Sequence, residues 1–407
     1  MHRGFGVCTG ATILACVPGL LWAYVPWAYV PGLLLGICTF GRCTLADVPG
    51  LLCLLYRRVA APLPDPLFPF SEQLVAVFID TVDMGKGMKY HPHGSVLFCT
   101  FSIEEGLLLL ANPLCDAIIK SCLARACVLN PVRICHILVE ANHVHIVFVV
   151  IDPEHVPGFI RCFKTESAHM INGLLGRDKR TVWCEGYDSP IVLTPIRALV
   201  AIAYLYSNPA KDNLEVSIDK YPGFSSWQIF QSGNVNRRWK RLRRPQFTAI
   251  PRNSNNLRGY TELAEKVLED STEVQAFRLE PNAWMEAFGY RSALEHKKIN
   301  ERLVARIRLI EERAERERAK RKGRVLGRER LLAQVFNTTY RSKRNGRRMW
   351  CLSEKRRIRA EFIRFFKELM QKARAVRQRW KMGDVTVPYP PGLYPPSMPK
   401  LANALGR

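Results

Sequence analysis

Residues 141–150 read ANHVHIVFVV, and the two histidines are of a type and spacing that could do chemistry. Side chains on a strand alternate between faces, so His143 and His145 share one face while Val144 and Ile146 take the other. Same-face neighbours lie roughly 7 Å apart, close enough for two imidazoles to lean onto one divalent ion. Taken alone, the decapeptide favours a pair of edge histidines bonded to water or backbone. A second constellation lies in YLYSNP, residues 204–209. On a helix, Tyr204 and Asn208 stand at i and i+4 and project from one face, one turn apart, whereas Tyr206 points about 200° round the axis. Asn208 offers a neutral, hard oxygen suited to Mg²⁺ or Mn²⁺. Tyr204 offers a phenol that can attack phosphorus once its proton is lost. A helix end with a core tyrosine and a capping asparagine is the alternative. The two constellations acquire a chemical meaning only if the fold brings them together.

The elements that must do so can be read from composition and period. Residues 95–103 are rich in β-branched and aromatic side chains and predict a strand. Spaced apolar residues in 105–127 predict a helix beginning around Pro113 or earlier. Residues 132–150 give two strands joined by a tight turn at 140–142, the second carrying the histidines. Residues 154–176 are helical by period and closed by Gly176. A further strand is expected in 182–194. A helix then opens at Pro195, a favourable first-turn residue, and stops before Pro209. The order β-α-β-β-α-β-α predicts an α+β fold of the ferredoxin-like or RRM-like kind, an antiparallel sheet with helices on one face.

The net charge of +24 is unevenly spread: residues 1–236 carry 17 Lys+Arg against 18 Asp+Glu, and residues 237–407 carry 43 against 18. So concentrated a positive field points to a polyanion, foremost nucleic acid, with anionic membrane as the lesser option. The basic half is expected to be mainly helical over 259–318 and 355–380. A loop-like cluster, YRSKRNGRRMW, lies between these, and the proline-rich end is expected to be extended. A membrane-surface helix at 355–380 is the competing reading. The 13 cysteines form no CxxC pair, which argues against structural zinc and for buried thiols in a reducing, cytoplasmic setting, nucleoid-associated if DNA is bound. At the start, VPGLL recurs at 17–21, 30–34 and 48–52, and WAYVP at 22–26 and 27–31. Prolines break any spanning helix there, so 1–85 reads as a repetitive apolar leader outside the fold, with Met84 or Met88 as a sensible start and membrane attachment as the runner-up. The expected division is 1–85 leader, 86–230 catalytic domain, 231–385 basic helical DNA-binding extension and 386–407 proline-rich tail.

NHVHIVF, VWCEGYDSPIVLT, IAYLYSNPAKDNL and IDKYPGFSSW, in that order, resemble the REP-associated tyrosine transposases. These are a branch of the IS200-like, single-tyrosine HUH transposases, and the likeness runs from about Tyr90 to Trp227. It implies that His143, His145 and Asn208 hold one divalent cation, Mg²⁺ or Mn²⁺, and that Tyr204 is the nucleophile in single-strand DNA cleavage. It implies a 5′-phosphotyrosine intermediate, and single-stranded or hairpin DNA as partner. A homodimer is compatible with it. Because the covalent link conserves the phosphodiester energy, no nucleotide cofactor is expected, in keeping with the absence of a GxxxxGK[ST] loop. Lys164, Arg177, Lys179 and Arg180 are candidate phosphate contacts and Trp183 a candidate stacking platform for an unpaired base; solvated helix ends and a core aromatic are the plain alternatives. A second His-x-His, His91 and His93, competes for the metal, but Pro92 places it in a loop. The alternative to an enzyme is a catalytically silent, domesticated nucleic-acid-binding protein with the same fold.

Overall fold

Three strands carry the architecture: β1 (Val96–Ser102), β2 (Arg133–Val139) and β3 (His143–Val149). The structure is a computed structural model and describes residues 89–111, 113–176, 180–242, 272–333, 339–340 and 349–399, within one compact unit, Pro49–Arg407. The leader, 1–85, lies outside the described residues, as does most of the basic cluster in 341–348. β3 pairs antiparallel with both β1 and β2, from Ser102↔His143 to Val96↔Val149 on one side and from Val139↔Val144 to Arg133↔Val149 on the other. A two-residue strand β4 (Ile191–Val192) adds antiparallel to β1, and β7 (Cys351–Leu352) adds parallel to β4. The result is a mixed five-stranded sheet in the order β2-β3-β1-β4-β7. A separate ribbon pairs β5 (Asn236–Leu242) with β6 (Thr272–Arg278).

Helices cover both faces of the sheet, not one as the sequence suggested. Behind it, Val144, Ile146 and Phe148 pack with α1 (Pro113–Leu129) and α2 (His155–Leu174). In front, Val147 and Val149 pack with α3 (Pro195–Lys211) and α6 (Ala293–Lys320). The short helices α4 (Trp227–Ser232) and α5 (Ala283–Ala287) fill out this front layer. Strands buried on both sides read as near-continuous apolar runs, as RICHILV and HIVFV do. The front cover comes partly from the basic half, which one-sided patterning of the central segment could not reveal. Ile299, Leu303 and Ile307 recur at i, i+4 and i+8 and give α6 an apolar stripe against α3. One short helix, α7 (Arg328–Leu332), and one long helix behind the sheet, α8 (Arg356–Lys381), follow.

Three expectations about elements need correction. The strand expected over 182–194 shrinks to Ile191–Val192, with single bridges at Trp183 and Asp188. Gly186, at φ +72°, turns the chain out of line, and Pro190 has no N–H to give a ladder. The helix from Pro195 does not stop before Pro209 but runs to Lys211. Pro209 sits in the last turn, and its carbonyl accepts from Leu214 and Glu215 at 2.9 and 3.1 Å. Finally, Thr272–Arg278, inside the segment expected to be helical, is a strand in full seven-residue register with β5.

Candidate active site

Register brings the site together. The turn between β2 and β3 closes with the Glu140 N–H on the His143 carbonyl at 2.8 Å, setting His143 and His145 on the front face. Across the ladder, Thr100 stands directly opposite His145, and its hydroxyl meets His145 Nδ1 at 2.8 Å. Asn142 gives its amide N–H to the Tyr340 carbonyl at 3.0 Å, which turns Oδ1 toward His143 Nδ1 at 2.8 Å. An acceptor there fixes the proton on Nδ1 and leaves His143 Nε2 with its lone pair. That lone pair is crowded: His145 Nε2 lies 2.9 Å away and Glu140 Oε2 3.1 Å away.

Burial sets the charge states. The imidazole of His143 is lowered to about 4 by desolvation. That of His145 falls well below its usual range, by desolvation first and then by the neighbouring His143 and Lys211 charges. Both rings are therefore neutral near pH 7, the form that can ligate a metal. Glu140, 1% exposed, is pushed well above the usual carboxylate range by burial and by Asp212, with Lys211 opposing.

The other half of the site comes from α3. Thr194 caps this helix, accepting from the Arg197 N–H, and Pro195 opens it. Tyr204, half-buried, sets its ring 6.0 Å from the His145 ring at 79°, with Phe98 as the shared wall at 6.5 and 5.3 Å. Asn208 is 1% exposed, and its Nδ2 has no hydrogen-bond partner. Lys211 joins the two: its ammonium lies 3.5 Å over the Tyr204 ring and 3.4 Å from Asn208 Oδ1. Tyr206 belongs to a different environment. Its hydroxyl bonds His136 Nδ1 at 2.9 Å and Ser226 at 2.7 Å, fully buried against Trp227 and Phe230.

These residues could hold a divalent ion. His143 Nε2 and His145 Nε2 share a hydrogen bond at 2.9 Å with the Glu140 carboxyl beside them, so the atoms of two neutral imidazoles converge where a cation could replace the shared proton. Among the described residues no group of three or more His, Cys, Asp and Glu makes a complete metal site. The Asn208 amide, with its unpartnered buried nitrogen, is a fitting additional donor group once its oxygen turns from Lys211.

The flanking candidates fare differently. Lys164 donates to the Cys184 and Gly186 carbonyls at 2.6 and 2.8 Å and clamps that loop, so it is not poised for phosphate. Arg180 forks onto Glu105 at 2.6 Å. Trp183 is a core residue, 5% exposed, bonded to Ser167 and packed on Phe101 and Phe163. It cannot offer a face to a base. Arg177 and Lys179 lie outside the described residues. His91 is buried against Ser189 at 2.9 Å, while His93, in an exposed turn, bonds the Ile151 carbonyl, so the two do not converge. Glu140, Thr100, Asn142 and Lys211 were missed in the sequence. Only Lys211 had a legible signal, seven residues after Tyr204 and thus on the same helical face.

No protein-family model matches the chain, and no curated protein matches it. Among solved structures, one similar chain is a REP-associated tyrosine transposase bound to a REP hairpin. It is 16% identical with a TM-score of 0.33, over 37% of this chain and 87% of that one.

Proposed function

We propose that this protein is a metal-dependent, single-strand DNA endonuclease and strand transferase that works through Tyr204. The observation that carries the reading is the meeting of a half-buried phenol, 6.0 Å from His145, with two neutral imidazoles whose Nε2 atoms lie 2.9 Å apart. The strand order β2-β3-β1-β4 with antiparallel pairings, extended by β7, supports a ferredoxin-like reading of the sheet. His143, His145 and Asn208 would hold Mg²⁺ or Mn²⁺, which when bound supplies Lewis-acid polarisation of a phosphate oxygen. Tyr204 Oη attacks phosphorus in line: a P–O bond to tyrosine forms and the P–O3′ bond breaks. The leaving 3′ oxygen takes up a proton, and the phenol gives one up. The product is a 5′-phosphotyrosine, which a 3′-hydroxyl can resolve by the reverse step. Lys211, over the ring, stabilises negative charge as it grows on the phenol. Thr100 and Asn142 hold both imidazoles in place from behind. DNA, single-stranded or hairpin-bearing, is the substrate that this chemistry and the excess of cations support.

A silent, DNA-binding relic is the second reading, favoured by the Lys211 ammonium standing at Asn208 Oδ1. Incubating the chain with Mn²⁺ and hairpin-bearing single-stranded DNA separates the two. A covalent adduct, lost in Tyr204→Phe, supports the enzyme; tight binding without any adduct supports the relic.

A further inference from the structure

The helix α8 is long, strongly basic and amphipathic, which by itself is compatible with a membrane surface as well as with nucleic acid. Its packing decides between them. Phe362, Phe366, Leu369, Met370 and Ala373 are buried in the cluster behind the sheet, with Phe362 and Phe366 against Tyr90 and Phe366 against Trp350. The apolar stripe that a bilayer would need is consumed by the protein's own core. No helix among the described residues is long and apolar enough to cross a membrane.

What remains outward is charge. Arg364, Lys367, Lys372, Arg374 and Lys381 are all exposed and make no hydrogen bond or ion pair with described residues. Glu368 is the one carboxylate between positions 364 and 381. Lys367, Arg374 and Lys381 recur at seven-residue intervals, so they form one line along the helix, about 10.5 Å from one to the next. That step equals about three base-pair rises of 3.4 Å. By contrast, α6 mixes its charges: Arg308 is tied to Asp219 and Glu311, and Lys320 to Glu317.

We infer that the outer face of α8 is a second nucleic-acid surface, one that grips the phosphate backbone of a duplex. It belongs to the layer behind the sheet, whereas His143, His145 and Tyr204 belong to the layer in front. Such a surface supplies affinity and register without reading sequence. It does not rest on the cleavage chemistry, and it serves a nuclease or a silent binder alike.

The test uses the full chain and a labelled 20-base-pair DNA duplex of arbitrary sequence, titrated at several salt concentrations. Arg364→Gln, Lys367→Gln, Arg374→Gln and Lys381→Gln are combined in one variant. Lys297→Gln, Lys298→Gln, Arg316→Gln and Arg321→Gln on α6 and just beyond it remove the same charge elsewhere. Circular dichroism and thermal melting establish that both variants fold. The expected result is about a 30-fold or greater loss of duplex affinity in the α8 variant, with the salt slope reduced by about 3. The α6 variant should lose less than about threefold. Equal losses in the two charge variants would reduce the effect to net charge and overturn the inference, as would an unchanged α8 variant. Binding to phosphatidylserine vesicles but not to duplex would overturn it in favour of a lipid surface.

Discussion

The two faces of the sheet are built from the same strands, yet they differ in kind. The back face is hydrocarbon and thiol: Leu97, Cys99, Phe101, Val144, Ile146 and Phe148 meet Phe159 and Phe163. The front face takes the alternate residues and sets polar groups into a buried layer, namely His136, Glu140, His145 and, from α3, Asn208, with Thr100 half-buried beside them. One strand, β3, supplies Val144, Ile146 and Phe148 to one side and both histidines to the other. Alternation lets a strand anchor a core through one set of side chains while the other set is held for chemistry. The back face is packed hydrocarbon, whereas the front keeps two neutral imidazoles hydrogen-bonded to Thr100, Asn142 and each other.

That contrast can be broken by mutation, beginning with the largest expected effect. His145→Ala should cut adduct formation by at least about 10²–10³-fold, the scale of losing a principal electrostatic element. Its melting temperature should change little, and a collapse of the fold instead would show that the imidazole is structural. Phe148→Ala, one face away, should cost about 3–5 kcal/mol in urea unfolding through the cavity it leaves, while the adduct still forms wherever the variant is folded.

Acid should act first on the front. His136, fully buried, is lowered to about 3 by desolvation. Between its unfolded value near 6.5 and that level, the unfolded chain binds the proton and the folded chain does not. Stability is thus complete above about pH 6.5 and falls as pH drops toward 3. On the back face, burial instead pushes the Cys99 and Cys115 thiols up to about 12. Urea midpoints at pH 7, 5.5 and 4 should flatten in His136→Gln, on the order of 1.4 kcal/mol per pH unit; an unchanged slope would place the acid sensitivity elsewhere. The smallest effect is expected for Arg308→Met. It removes the ion pair to Asp219 that ties α6 to the front layer, together with one to Glu311 within α6, and a half-exposed guanidinium there is worth about 1 kcal/mol.

The parts of this fold that were legible in the sequence are those with a strong local period. β1, β2, β3, α1 and α2 fall within a few residues of where composition places them, and the facing of His143, His145 and Tyr204 follows from strand and helix periods alone. The unread parts depend on partners distant in sequence. Thr100 matters only because the register sets it opposite His145, 45 residues on. Trp183 looked available because nothing local announces Phe101, Phe163 and Ser167 around it. The front cover supplied by α6 was hidden because its apolar stripe is thin and its charge conspicuous. Lys164 and Arg180 are candidate phosphate contacts on sequence alone, because the carbonyls and the carboxylate that engage them are legible only in three dimensions.

The most direct test of the central claim is denaturing electrophoresis of the chain after incubation with Mn²⁺ and 5′-labelled or 3′-labelled single-stranded DNA carrying a hairpin. The expected result is a covalent species that retains the 3′ label and releases the 5′ label, with Tyr204 as the modified residue by mass spectrometry and none formed by Tyr204→Phe. An adduct that persists in Tyr204→Phe, or no adduct with a protein that binds the DNA, would contradict it.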